Sequence, residues 1–169
     1  MTGALSEVEP VALASALPTF PVEVLPIAAR VYVERLAEGG LPLAIRGGGH
    51  SVPGFGTWDD AVVVDLIRMR GVRVDPKKRT ARAEGGATWG DFNAATNAFG
   101  LATTGGIISI TGVAGLTLGG GIGYTARGFG LSCDNLISAD VVTADGRFLP
   151  GSEEYNLALS SALRGVAAH

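Results

Sequence analysis

Histidine, cysteine and charge are all scarce in this chain, and each scarcity excludes something. The 169 residues hold one cysteine, Cys133, and two histidines, His50 and the terminal His169. A lone cysteine rules out a disulfide within the chain and fits a reducing, cytoplasmic setting. No cluster of His, Cys, Asp or Glu has metal-ligand spacing, so no metal site is expected. Charged residues amount to 17% and the net charge is −3. The basic residues are scattered, and the one adjacent trio, Lys77-Lys78-Arg79, reads as a solvated turn between strands. A nucleic-acid partner is therefore not expected. The N-terminal MTGALSEVEP lacks a basic n-region, and no apolar run approaches a membrane span. Paired carboxylates offer no catalytic dyad. Asp59-Asp60 sit in a turn, and Glu153-Glu154 lie near a helix start, where acids suit the dipole.

Glycine is abundant, at 26 residues. The glycines gather at 47–49, 85–86, 105–106 and 119–123 without a fixed period, which excludes collagen and calls for several tight turns. The first cluster ends in a histidine: Arg46-Gly47-Gly48-Gly49-His50-Ser51. Bare backbone there lets N–H groups close on a phosphate, with an imidazole beside them. Val52, Pro53 and Gly54 follow, so no helix opens there. The dinucleotide fingerprint therefore fails, although Asp65 stands at a suitable distance. A second cradle runs Thr104-Gly105-Gly106 through Thr111-Gly112-Val113-Ala114-Gly115, with a helix expected to start near Val113 and add its N-terminal dipole. A third spans Gly119 to Gly123, including Gly121. Close packing of two elements is the alternative role for each cluster.

The element pattern is mixed. Residues 1–21, with Pro10, Pro18 and Pro21, read as a loosely ordered lead-in, and 22–169 as one domain. A helix is expected over 22–38, ended by Gly39-Gly40, then a strand over 41–45 and another over 61–65. Val72–Val74 and Arg79–Ala83 form a hairpin about Asp75-Pro76-Lys77-Lys78. Thr88 caps a helix to about Phe99, with Asp91 as its acidic partner. The almost uncharged 100–123 stretch is expected to line a buried cleft. A strand over 136–144, an Asp145-Gly146 turn, a return strand over 147–149 and a helix over 152–164 complete the chain. Hairpins without regular crossovers point to α+β.

Together RGGGHS (46–51), GVAGLTLGGGIG (112–123), CDNL (133–136) and VVTADG (141–146) resemble the FAD-binding domain of FAD-linked oxidases. The type is the vanillyl-alcohol oxidase or PCMH one, in its berberine-bridge-enzyme-like branch. VVVDLIRM (62–69) and ATWGD (87–91) add matching text. The resemblance implies a PCMH-type α+β fold with mixed sheets and flanking helices. It implies FAD, with His50 bonded to the flavin 8α-methyl carbon and residues 46–51 around the pyrophosphate. Residues 104–115 would then pass pyrophosphate and flavin, and Val141 and Val142 would meet the adenine end. Relatives with a second, cysteine tether carry it before Thr111; Ile108 stands there, so a single tether is implied, and Cys133 is read as a packed residue. Asp134 and Asn135 are read as fixing a turn, and Trp58, Trp89 and Tyr124 as packing. The family's second domain, with the substrate pocket and usual catalytic base, has no counterpart here, and both ends read as altered or cut. No catalytic residue is identified. The implied activity is hydride acceptance from a small organic substrate with reoxidation by oxygen. A noncatalytic remnant or partner-dependent subunit is the alternative, with a homo-oligomer or partner chain covering the flavin face.

Overall fold

A computed structural model describes residues 12–15, 42–143 and 147–164. The helix expected over 22–38, its Gly39-Gly40 stop and the Asp145-Gly146 turn lie outside the described residues. Two sheets organise the rest. The larger joins β1 (Ala12–Ser15), β4 (Val72–Asp75), β5 (Thr80–Ala83), β6 (Leu136–Val142) and β7 (Phe148–Ser152) in the order β4-β5-β1-β6-β7. β1 runs parallel to both β5 and β6, and antiparallel hairpins close the two sides. The smaller sheet is a parallel pair, β2 (Leu43–Arg46) and β3 (Val62–Asp65), with Arg46 opposite Asp65.

Residues 12–15, within the segment expected to be a loosely ordered lead-in, form the central strand of the larger sheet. A four-residue strand flanked on both sides in a sheet is too short to show a period. The 72–83 hairpin forms as expected, because Asp75 Oδ1 accepts from the backbone N–H of Lys77 and Lys78 and closes the turn. Ala81 and Ala83 face inward while Arg82 is exposed.

Helix α1 (Trp89–Asn97) opens on a full capping box. Thr88 Oγ1 accepts from Asp91 N–H, and Asp91 Oδ2 accepts from Thr88 N–H at 2.9 Å. Its inner face brings Trp89 and Phe92, both fully buried, into an edge-to-face pair with centroids 5.3 Å apart. They meet Ala81, Ala83, Ala87, Leu101, Val113 and Leu136 in the core. Helices α2 (Val113–Leu118), α3 (Ala126–Phe129) and α4 (Leu157–Ala162) are short. α4 starts later than expected because Ser152 still belongs to β7. There Ser152 Oγ accepts from Tyr155 N–H, and Asn156, at φ 56°, donates from Nδ2 to Pro150 O.

The uncharged 100–123 stretch divides. Leu101, Thr103 and Thr104 are buried, but Ile107, Ile108, Ile110 and Ile122 are more than half exposed. Burial therefore covers only part of a segment expected to line a closed cleft.

Candidate functional site

The first two glycine turns meet backbone to backbone. A Cβ built on Gly48 would stand 2.5 Å from Gly112 Cα, and one on Gly112 would stand 2.7 Å from Gly48 N. Real Cβ atoms do not approach so closely, so both positions are closed to any side chain. Gly47 lies against Gly85, whose carbonyl would be 3.1 Å from an added Cβ. Gly85 and Gly86 form the cluster to which sequence reasoning gave no role. Their doublet was the available signal.

β2 delivers the first turn. Arg46 does not stand free: Nη1 pairs with Asp65 Oδ2 at 2.8 Å, and Asp65 Oδ1 accepts from Ile67 N–H. Asp65 thus ties Arg46, at the start of this turn, to the chain that follows β3. The Arg46 guanidinium passes beside Gly49, which adopts φ 74°. His50 and Ser51 follow, both exposed, with Ser51 Oγ accepting from Phe55 N–H.

Segment 87–91 holds the second turn from below. Trp89 N–H donates to Thr111 O at 2.9 Å, Gly90 N–H to Ser109 O at 2.7 Å, and Val113 N–H to Ala87 O at 2.9 Å. Thr88 and Gly112 form an isolated antiparallel bridge. Helix α2 begins at Val113 as expected, with Gly112 as its N-cap, but the Val113 N–H is already taken. Ala114 and Gly115 follow, and a Cβ on Gly115 would meet nothing within 4 Å. Thr104 is fully buried; its carbonyl accepts from Ser132 Oγ at 2.9 Å and its hydroxyl from Thr125 Oγ1 at 3.1 Å. Gly105 and Gly106 lie over the Trp89 indole.

Close packing describes the third cluster. Gly119 caps α2, Gly121 sits against Ser132 and Leu116, and Gly123 sits against the Gly105 carbonyl. The CDNL turn backs it, as Ser132 N–H donates to Gly121 O and Cys133 N–H to Gly120 O. Asp134 accepts from Leu131 N–H, and Asn135 donates to Phe129 O and Leu131 O, the turn-fixing role expected of both. Val141 and Val142 stand at the far end of β6, on a different sheet from Arg46. Tyr124 and Trp58 are exposed rather than packed; Trp89 is the buried one.

Electrostatics separate this region from the rest. Neither 46–51 nor 104–115 contains an acid. Beside them, the Arg70 guanidinium holds the Asp91 carboxyl at about 2, below the ordinary 3.8. Burial, with Asp134 adjacent, pushes the Cys133 thiol up. A cleft of about 700 Å³ lies elsewhere, lined among others by Asp134, Asp140, Glu153, Glu154 and Arg164. Four carboxylates against one guanidinium suit an anion poorly, so the glycine turns are the better phosphate cradle. No metal-binding cluster occurs among the described residues, and no described helix is long and apolar enough to cross a membrane.

Residues 29–150 match the profile of a family described as an FAD binding domain. The FAD-linked oxidoreductase pgmH of Aspergillus terreus is 42% identical over 119 residues, 70% of this chain and 24% of that protein. The (R)-6-hydroxynicotine oxidase of Paenarthrobacter nicotinovorans is 35% identical over 134 residues, 79% of this chain and 29% of that protein. Among solved structures, 6-hydroxy-D-nicotine oxidase from Arthrobacter nicotinovorans superposes with a TM-score of 0.81 at 32% identity, covering 92% of this chain and 33% of that one. A carbohydrate oxidase from Microdochium nivale gives 0.77 at 28% identity, covering 94% and 33%. The chain thus spans about a quarter to a third of the proteins it matches.

Proposed function

Because the chain belongs to the FAD binding domain family, with the α+β fold of PCMH-type FAD-linked oxidases, we propose that it holds FAD across the two touching glycine turns and serves an oxidase, with His50 as the covalent attachment point. The observation that carries this reading is the Gly48–Gly112 contact. It builds a side-chain-free, acid-free seam, flanked by the open space at Gly115 and the exposed His50. That seam fits a pyrophosphate, which backbone N–H groups can approach only where no Cβ intervenes.

When bound, FAD supplies a two-electron acceptor that takes hydride from a small organic substrate and returns the electrons to oxygen. Residues 46–51 wrap the pyrophosphate, 104–115 pass it and the flavin, and the backbone of Val141 and Val142 meets the adenine. His50, exposed beside the first turn, would be the attachment point for the flavin 8α-methyl carbon. Cys133 is no second tether, since it is 4% exposed with its thiol pKa raised, and the thiolate is the reactive form. We assign no catalytic base to this chain. Relatives act, by their names, on a hydroxynicotine and on carbohydrate, so the substrate class stays at small organic molecules. Ile107, Ile108, Ile110, Ile122 and Tyr124 are each more than half exposed, which suits cover by a second copy or a partner chain.

The test is acid precipitation after incubation with FAD. Wild type keeps yellow flavin in the pellet, and His50→Ala releases it while still binding FAD reversibly. Folded wild type that stays colourless with excess FAD overturns the cofactor assignment. Peroxide release on presenting alcohols, amines or sugars reports the oxidase activity.

A further inference from the structure

Resting on the FAD reading above, we propose that Trp89 is the positioning residue for the flavin end of the site: its indole sets the height of the Thr104–Thr111 loop. The sequence marks Trp89 within ATWGD, a segment to which the cofactor assignment gives no task.

The geometry is specific to the ring. Trp89 is fully buried, and its six-membered ring lies directly under Gly105, where an added Cβ would stand 2.7 Å from Cη2 and nearer still to Cζ3 and Cε3. Its pyrrole edge lies under Gly106, where an added Cβ would meet Cδ1 at 2.6 Å and Nε1 at 3.1 Å. The two glycines therefore rest on the indole with no side chain between. Trp89 also holds the far end of the same loop, since its backbone N–H donates to Thr111 O and its neighbour Gly90 donates to Ser109 O. One residue thus supports both ends of the loop, its ring at 105–106 and its amide at 111. Above the loop, Gly123 lies against the Gly105 carbonyl, so a change in ring height passes to the third glycine cluster. Phe92, edge-on at 5.3 Å, keeps the indole from tilting away. The indole N–H has no acceptor among the described residues. What keeps the larger ring here is then its shape, and phenylalanine would leave the loop unsupported on one side.

A residue that merely fills the core would lower stability and weaken every ligand alike. A positioning residue shifts the balance between ligand parts. The experiment compares FAD with ADP, which has the adenosine and pyrophosphate but no flavin, on the full chain carrying His50→Ala throughout so that both bind reversibly, at a temperature where each variant is folded by circular dichroism. Trp89→Phe should weaken FAD about tenfold and leave ADP within about twofold, a split of about 1–1.4 kcal/mol. Gly105→Ala reads the same contact from the loop side, covering the case in which Trp89→Phe does not fold. It should also weaken FAD selectively, and adding Trp89→Leu, which removes the colliding ring, should restore part of the loss. Equal weakening of FAD and ADP, or unchanged FAD affinity in both single variants, overturns the proposal while wild type still binds FAD. Wild type that binds neither ligand overturns the FAD reading itself, and this one with it.

Discussion

Gly48→Ala tests the seam between the two turns most directly. The added methyl would stand 2.5 Å from Gly112 Cα. Carbons in ordinary contact stand about 3.5–4.0 Å apart, so the two backbones have to separate by about 1 Å. Neither side is a flexible tip. Gly112 is pinned by its bridge to Thr88 and by the Val113 N–H bond to Ala87 O, and Gly48 follows the Arg46–Asp65 pair on β2. Forcing extra volume into such a contact costs about 1–3 kcal/mol. At this chain length that is about 2–12 °C in melting temperature. If the separation is felt wholly at the seam, FAD binding weakens by about 5–150-fold. Gly128→Ala, inside helix α3 and outside the proposed site, is the matched control: its Cβ meets nothing within 4 Å, and inside a helix alanine is better than glycine by about 0.8–1 kcal/mol. Thermal unfolding by circular dichroism and FAD titration by calorimetry, the latter with His50→Ala in every chain so that binding is reversible, supply both readouts. A Gly48→Ala protein that melts with the wild type and binds FAD as well would refute the steric argument.

Acid should probe the brace below the seam. The Arg70 hydrogen bond lowers Asp91 from 3.8 to about 2, so the stability it contributes is full above about pH 4 and lost as pH falls through about 2. Allowing for solvent around the pair, that loss is about 1 kcal/mol, and Asp91→Asn should remove the pH dependence in urea titrations. Cys133 should resist a thiol reagent at neutral pH in the folded protein and label at once in denaturant, because it is 4% exposed with a raised pKa; rapid labelling of the native state would contradict its packed role.

Local chemistry made much of this fold legible, and its absence explains the rest. The 72–83 hairpin and the α1 cap are readable because Asp75 and the Thr88–Asp91 pair bond to backbone only a few positions away. β1 is different: its partners Thr80–Ala83 and Leu136–Ser138 are distant in sequence, and four residues cannot advertise a register. The same limit applies to the glycines. A run of three announces that side chains are excluded, but not by what. Gly48 is closed by Gly112, Gly105 by an indole, and Gly121 by Ser132 and Leu116. Only the contact partner distinguishes a ligand-facing turn from a packed one. The exposure of Ile107, Ile108 and Ile110 was hidden for the reverse reason, since an apolar composition does not say whether a second layer covers it.

These contacts give the site a particular vulnerability. Arg46 is the one charged residue in the two turns, and Asp65 already neutralises it. On the proposed reading, recognition of a diphosphate falls mainly to backbone N–H groups, whose directions are fixed by the chain and cannot be restored by rotating a side chain. A site built from lysines or arginines absorbs a shift of 1 Å by changing rotamers; one built from amides does not. On that reading Trp89, which lies against Gly105 and Gly106 outside the cradle, controls affinity by setting where the amides of the 104–111 loop point. Changes confined to side chains at the rim, such as Ile110 or Tyr124, leave those amide directions intact and should spare FAD binding.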